Sequence, residues 1–184
     1  MRFEPTPSQT IGPFFHDALL ESHLTELVLP DHPGAIRIAG VVYDGAGEPV
    51  TDAMVEISQA GPSSSEVSPS TFDEGLSGWG RSATADGGRF SFVTLKPAPV
   101  PATDGTPQAP HVNVVVFARG LLRQVITRLY FPDEEANATD PVLSSIEDTG
   151  LRETLVAREE WDGTYRFHDR LQGEGQTAFF EFAG

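Results

Sequence analysis

His111 and Asn113 stand two residues apart in H-V-N-V-V-V-F-A, the most convincing strand pattern of the sequence. Residues at positions i and i+2 of a strand share one face, so this spacing could place two metal ligands side by side. Histidine is a common ligand of transition metals, but the amide of asparagine is a poor one. The pattern alone therefore favours a hydrogen-bonded structural pair over a metal site.

Three tyrosines and one arginine are the next candidates for chemistry. Tyr43, Tyr130 and Tyr165 lie in or beside predicted strands. A phenolate ligand needs a cation that lowers a pKa that starts near about 10, so packing with the hydroxyl at the surface is the simpler interpretation. Arg119 directly follows the strand at a turn, where its planar guanidinium could bind a carboxylate. A plain surface charge is the alternative for Arg119.

Other catalytic patterns are missing from the sequence. It contains no cysteine, no glycine-rich phosphate loop, no nucleophile elbow and no histidine-rich zinc motif. The acidic runs at 133–135 and 159–160 are typical of solvated loops. These residues alone do not form a self-sufficient catalytic set.

The composition excludes two classes of partner. The chain has 184 residues, with 12 Lys and Arg against 27 Asp and Glu, and a net charge of −15. Such an acidic chain lacks the basic surface that nucleic acids and anionic membranes require. No stretch approaches the roughly 20 apolar residues that cross a bilayer. We expect one domain in a cytoplasmic protein.

The elements that position these residues are predicted to be short strands. The 18 glycines and 15 prolines favour many turns and hence an all-β fold. Strands are predicted at 35–43, 53–59, 81–85, 89–93, 111–118, 121–131, 164–171 and 177–182. They predict a single antiparallel β-sandwich at 35–184. Residues 1–34 are irregular and proline-rich, and they predict an N-terminal arm that packs on this domain or on a partner.

Local signals refine this prediction. The sequence D-G-G at 86–88 predicts a hairpin between the third and fourth strands, and long loops are predicted at 60–78 and 96–110. The apolar run at 111–118 predicts burial on both faces. Asp140 and Pro141 predict the start of a short helix over 142–146, and a second helical turn is expected near 151–154.

Six stretches, in this order, resemble the intradiol ring-cleaving dioxygenases, in particular the protocatechuate 3,4-dioxygenases. They are T-P-S-Q-T-I-G-P-F-F (6–15), I-A-G-V-V-Y-D-G-A-G-E-P-V (38–50), A-M-V-E-I-S-Q-A (53–60), G-R-F-S-F-V-T-L-K-P (88–97), P-H-V-N-V-V-V-F-A-R-G-L-L (110–122) and T-R-L-Y-F-P-D-E (127–134). The resemblance covers most of the chain. It implies an immunoglobulin-like or transthyretin-like sandwich, and cleavage of 3,4-dihydroxybenzoate by O2 to 3-carboxy-cis,cis-muconate.

The family pattern also reveals a ligand deficit. Catalytic chains of the family hold Fe(III) with two tyrosines and two histidines, because hard phenolates stabilise the ferric state. Here the family's H-x-H keeps His111 but has Asn113 in second place, and the family's arginine position holds Gln108. The tyrosine that follows K-P-G-P is replaced by Val100, and 60–80 contains no tyrosine. The resemblance therefore implies that this chain binds no iron.

This deficit is similar to the α subunits of the family, which pair with a homologous, iron-bearing β subunit. The resemblance implies that Fe(III) lies in that partner and that 3,4-dihydroxybenzoate and O2 bind between the chains. It assigns the pocket wall to Thr10, Gly12 and Pro13 of the arm and to Arg119. Gly12 would let the backbone approach a ligand, Pro13 would fix the direction of the arm, and a guanidinium suits a benzoate carboxylate.

Two other hypotheses stay open. The chain could be a stand-alone β-sandwich module for binding or assembly without catalysis. It could also be an independent iron dioxygenase that uses His111, one of the three tyrosines and carboxylates. A net charge of −15 would repel an anionic substrate at long range. We therefore expect a less acidic partner and local arginines that offset the field at the pocket mouth.

Overall fold

The computed structural model describes residues 7–10, 12, 19–62, 78–84, 86–160 and 163–181. Its strands are β1 (Ala35–Tyr43), β2 (Met54–Gln59), β3 (Trp79–Ala83), β4 (Arg89–Leu95), β5 (Val100–Pro101), β6 (Pro107–Gln108), β7 (His111–Phe117), β8 (Val125–Tyr130), β9 (Arg158–Glu159), β10 (Thr164–Arg166) and β11 (Asp169–Arg170). Two short helices follow β8, namely α1 (Pro141–Ser145) and α2 (Thr149–Glu153). In the described residues no helix is both long and apolar enough to cross a bilayer.

The strands form two packed sheets, which confirms the predicted all-β sandwich. In the first sheet β1 lies between β4 on one side and β10 and β11 on the other, with β9 beyond β10. The second sheet has the order β3-β2-β7-β8, so β7 is an interior strand of this sheet. Their facing apolar side chains form the main core, which includes Ile38, Val55, Phe92, Val114 and Leu129.

The pairing of β1 with the C-terminal strands departs from the predicted antiparallel order. β1 pairs in parallel with both β10 and β11, and the predicted strand 164–171 is interrupted at Phe167 and His168. The interruption lies against Gly40, where a Cβ would be 1.7 Å from the carbonyl oxygen of Phe167. Glycine at position 40 therefore permits the close approach of the two backbones.

The hairpin predicted at 86–88 is wrong, although both of its strands exist. β3 pairs with β2 in the second sheet, while β4 pairs with β1 in the first. The D-G-G turn thus carries the chain from one sheet to the other. Gly88 has a φ of +68°, and a Cβ there would be 2.9 Å from the carbonyl oxygen of Val42. This contact seats the turn against the end of β1, which directs β4 to that strand.

Three further predictions need correction. The loop predicted at 96–110 contains the small hairpin β5–β6, and its prolines had hidden that hairpin. β7 is fully buried on one face at Val112, Val114 and Val116, but its other face is only partly buried beyond His111. Residues 177–181 of the last predicted strand, 177–182, form no strand, although the N–H of Phe180 donates to the carbonyl oxygen of Ile126 at 2.8 Å.

The predicted helix start is confirmed. Asp140 is the N-cap of α1, its side chain accepts hydrogen bonds from the N–H groups of Val142 and Leu143, and Pro141 is the first helical residue. α2 lies where the second helical turn was expected. Together with β8, this helical region forms a second, smaller core around Tyr130, Leu143 and Leu155.

The part of the predicted arm that the structure describes contacts the sandwich. Leu27 is buried in the main core, and its N–H donates to the carbonyl oxygen of Val93 at 2.8 Å. The boundary between an arm at 1–34 and a domain at 35–184 stays a prediction. Most of the loop predicted at 60–78 lies outside the described residues.

Candidate functional site: a degenerate metal position and an arm clipped to a turn

His111 lies at the start of β7 in an orientation typical of a metal ligand. Its Nδ1 is 2.7 Å from the carbonyl oxygen of Ala109, so Nδ1 carries the proton and donates to this oxygen. The lone pair of a neutral imidazole is then at Nε2, the atom that binds metals in many proteins. Burial lowers the pKa of His111, which keeps the ring neutral. One ligand of the family pattern is therefore correctly oriented.

The other positions of the family pattern lie near His111 but carry the wrong groups. Val100 and Gln108 are direct partners in the β5–β6 hairpin. Asn113 shares the face of His111 on β7, as the spacing predicted. These four positions are offered by adjacent elements, since β6 leads into β7 within three residues. They present one imidazole, one isopropyl group and two amides, and together they are called the degenerate metal position below.

A guanidinium also projects among these positions. Arg128 lies opposite Asn113 in the β7–β8 pairing, and its Nη1 donates to Oε1 of Gln108 at 2.7 Å. The same nitrogen is 3.3 Å from the hydroxyl oxygen of Tyr130. The arginine that the family places at position 108 is thus replaced by a guanidinium from the neighbouring strand, hydrogen-bonded to the glutamine that stands there.

Asp140 completes this hydrogen-bond network. The hydroxyl of Tyr130 donates to Oδ1 of Asp140 at 3.1 Å, and the N–H of Ala109 donates to Oδ2 at 2.8 Å. Tyr130 and Asp140 are both fully buried. Burial raises the pKa of Tyr130 to about 12, so the residue remains a phenol. Tyr130 therefore holds the structure together and is not available as a phenolate.

This donor set does not fit the family's ferric ion. Fe(III) needs several strong donors, mainly anionic ones. Here His111 supplies one strong neutral donor, the two amides are weak ligands, and Val100 supplies none. The positive charge of Arg128 opposes a second cation close by. In the described part of the chain no three His, Asp or Glu side chains are grouped to hold a metal.

The other two tyrosines pack against neighbouring side chains. Tyr43 packs against His168 and under the guanidinium of Arg170. Tyr165 is buried, with its ring edge-on to Phe131 at a centroid distance of 4.9 Å. Neither lies in the group of His111, so the packing interpretation of these residues fits the structure.

The acidic runs are mostly exposed, as predicted for solvated loops, and three of their carboxylates form ion pairs. Lys96 bonds to Oδ2 of Asp133 at 2.7 Å and to Oε1 of Glu134 at 2.5 Å. In the second run, Glu160 forms an ion pair with Arg166. These carboxylates are engaged in ion pairs and do not form a cation site.

Two of the predicted wall residues, Thr10 and Arg119, lie near each other beyond the opposite end of β7. The N–H of Gly120 donates to Oγ1 of Thr10 at 3.1 Å, and Nε of Arg123 donates to Oγ of Ser8 at 3.1 Å. Two hydrogen bonds thus attach the arm to the turn at 118–124. The sequence does not predict Ser8 and Arg123, because the pairing spans more than 100 residues.

Arg119 lies on the same turn and is oriented by a carboxylate. Its Nε is 2.7 Å from Oδ2 of Asp52, and its side chain is 69% exposed. Because most of this side chain is exposed, the guanidinium is accessible to a carboxylate from outside the chain, with which it can form a bidentate pair. Gly12 has a φ of +74°, and apart from its two neighbours no atom of the described residues lies within 4 Å of a Cβ built there. Pro13 lies outside the described residues.

The two groups are too far apart to form one site in this chain. His111 begins and Phe117 ends the same strand, and six residues of extended chain span about 20 Å. The arm and Arg119 lie beyond the far end. A ligand held by Arg119 therefore cannot also contact the position of His111 in this chain.

Comparisons with known proteins give a consistent result. The family profile described as Dioxygenase matches residues 11–173. The protocatechuate 3,4-dioxygenase alpha chain of Pseudomonas putida is 42% identical over 96% of this chain and 96% of its own length. The beta chain of the Burkholderia cepacia enzyme is 27% identical over 88% of this chain and 70% of its own.

The solved structures agree with these matches. The dioxygenase domain of a dioxygenase–carbohydrate-binding protein fusion from Streptomyces sp. SirexAA-E superposes with a TM-score of 0.60 and 27% identity. It covers 92% of this chain and 99% of that domain. Fold, family profile and near full-length relatives lead to one conclusion: the chain belongs to the dioxygenase family, as its sequence motifs predicted.

Proposed function

We propose that this chain is the α subunit of a protocatechuate 3,4-dioxygenase and completes an active site whose iron is held by a homologous β subunit. The reaction adds both atoms of O2 to 3,4-dihydroxybenzoate, breaks the ring between the two hydroxylated carbons and gives 3-carboxy-cis,cis-muconate. The observation that carries the proposal is the 42% identity to an alpha chain over 96% of both lengths. A cytoplasmic location stays a prediction.

The donor set supports placing Fe(III) in the partner and not in this chain. The family's chemistry needs a ferric ion, but the positions of Val100 and Asn113 cannot supply its ligands, and Arg128 adds a positive charge beside them. The iron must then be held by a chain with the full ligand set. A homologous β subunit is the simplest source, because the same fold would supply the missing tyrosines and histidine.

The geometry of the wall residues supports a pocket between two chains. Thr10 and Arg119 lie about 20 Å from this chain's own degenerate metal position, so they would face a site in a neighbouring molecule. Arg119 would bind the carboxylate of the substrate through its two terminal nitrogens while Asp52 holds Nε. Gly12 and Pro13 would form the backbone wall that excludes water from the reacting ring.

The first experiment is co-expression with a ligand-complete homologue, followed by assays of ring cleavage and measurement of the iron in each separated chain. We expect activity only in the complex and iron only in the homologue. A lone chain that is coloured and active would instead identify an independent iron dioxygenase. Failure to associate would identify a stand-alone module.

A second experiment tests the role of Arg119 in the complex. Arg119→Gln should raise KM by roughly 10-fold to 100-fold, because a charge-assisted pair contributes about 1.5–3 kcal/mol. The iron content should stay unchanged. Asp52→Asn is the matched control, since it removes the partner of Nε but leaves the guanidinium, and we expect a smaller rise. An unchanged KM in Arg119→Gln would contradict the assignment.

A further inference from the structure

An arginine-lined cleft lies on the outer face of the first sheet, whereas His111 belongs to the second sheet. Arg166 on β10 is the direct partner of Ala39 on β1 and of Arg158 on β9. Arg89 on β4 lies opposite Val41 on the other side of β1. The three arginines thus stand on three strands around the cleft, which Val41, Val156 and Phe167 also line. The cleft has a volume of about 580 Å³, within the range of about 300–1,000 Å³ that is typical of small-molecule sites.

The three arginines differ in their side-chain contacts with the described residues. Arg166 forms an ion pair with Glu160 at 2.8 Å. The side chains of Arg89 and Arg158 form no hydrogen bond, ion pair or ring contact with a described residue, whereas the side chains of the other arginines in the described ranges each form one. The three arginines face two carboxylates in the lining, those of Glu153 and Glu160. The lining groups therefore carry a net positive charge of about one. This is unusual in a chain with a net charge of −15.

His168 adds a neutral donor to the same cleft. The N–H of Val41 donates to its Nδ1 at 3.2 Å, so the proton of the neutral ring is on Nε2. Burial and the nearby charges of Arg166, Arg158 and Arg170 lower the pKa of His168. The lining therefore offers N–H donors from two unpaired guanidiniums and one imidazole.

We propose that this cleft binds a small multivalent oxyanion, either a phosphate or a di- or tricarboxylate. Planar guanidiniums form bidentate bonds with both groups, and the two unpaired ones flank the cleft from β4 and β9. An anion between them would receive hydrogen bonds from both and from Nε2 of His168. The inference is independent of the proposed function, because none of these residues belongs to the pocket wall or to the degenerate metal position.

Calorimetric titration of inorganic phosphate into the full chain, in the complex in which it purifies, tests this proposal. Titrations in chloride at constant ionic strength should give saturable binding. The double variant Arg89→Gln/Arg158→Gln should bind at least about tenfold more weakly, the loss expected for one charge-assisted hydrogen bond. Arg37→Gln is the matched control, because Arg37 is exposed on the same sheet and its side chain bonds, among the described residues, to Ser91 alone. It should bind phosphate like the wild type.

Parallel titrations with citrate separate the two ligand classes. Tighter binding of citrate than of phosphate would identify a carboxylate site, and the reverse a phosphate site. Equal melting temperatures of the variants in chloride would show that the fold is intact. The proposal is overturned if the wild type binds neither anion at millimolar concentration, or if the double variant binds as well as the wild type. A double variant that instead loses a subunit, without any anion binding by the wild type, would also refute it.

Discussion

Replacing Asp140 by alanine should destabilise the protein far more than replacing an ordinary helix cap. Oδ1 of Asp140 accepts hydrogen bonds from the N–H groups of Val142 and Leu143 at 2.9 Å and from the hydroxyl of Tyr130. Oδ2 accepts one from the N–H of Ala109. The side chain is fully buried, so water cannot replace these bonds.

The expected loss follows from the groups left without partners. Loss of an N-cap costs about 1 kcal/mol. An unpaired buried N–H at Ala109 adds about 1–3 kcal/mol, and the loss of the Tyr130 hydrogen bond about 1 kcal/mol. Asp140→Ala should therefore lower the free energy of unfolding by about 3–5 kcal/mol. Asp140→Asn should also be destabilising, because its NH2 group would face an N–H donor.

Asp148→Ala is the matched control. Asp148 caps the five-residue helix α2 as Asp140 caps α1, but it is exposed and accepts a single bond, from the N–H of Leu151 at 3.1 Å. It should cost about 0.5–1 kcal/mol. Urea unfolding, followed by circular dichroism, measures both variants beside the wild type. Equal losses in the two alanine variants would refute the argument that burial of the network sets the cost.

Three further predictions concern Asp169, Gly12 and Asn113. Burial raises the pKa of Asp169 to about 7, and no group of the described residues bonds to its carboxylate. The contribution of Asp169 to stability is therefore full below about pH 4 and is lost as the pH rises to about 7. At pH 8 the Asp169→Asn variant should be more stable than the wild type, by at most about 4 kcal/mol. Equal stability of the two proteins in urea unfolding at pH 8 would contradict this. Gly12→Val in the complex should raise KM severalfold without loss of iron, because a φ of +74° is strained for valine; loss of iron in metal analysis would disprove the wall assignment. Asn113→His alone should not bind stoichiometric iron, because Val100 and Arg128 remain; a coloured ferric variant would show that the donor set was misjudged.

Local signals explain what the sequence predicted well. β1 matches its predicted bounds because β-branched residues are followed by a tight turn. α1 begins where an N-cap aspartate precedes proline. The D-G-G turn was equally local, but turn chemistry specifies that the chain bends and not which sheet it enters. The pairing of β4 depends on how Gly88 packs on β1, and that contact is not visible in the sequence.

The candidate site also has features that local sequence signals predicted and features that depend on long-range pairing. The absence of ligands at Val100 and Asn113 was readable from the motifs. The network of Arg128, Tyr130 and Asp140 was not, because it depends on the register between β7 and β8. Register follows from the length and shape of the connecting turn, and the prediction began the second strand four residues too early, at 121 instead of 125. With the observed register, alternation alone places Arg128 opposite Asn113.

The net charge of −15 does not by itself exclude an anionic substrate from the proposed pocket. At physiological ionic strength the Debye length is about 8 Å, so acidic groups elsewhere on the sandwich are screened at the mouth. There the charges of Arg119 and Asp52 balance each other, while Arg123 is bonded to the neutral hydroxyl of Ser8. The described groups at the turn 118–124 thus leave a local positive charge. Access for a carboxylate is then decided by a few side chains on one turn, and the acidity of the whole chain matters mainly at low salt.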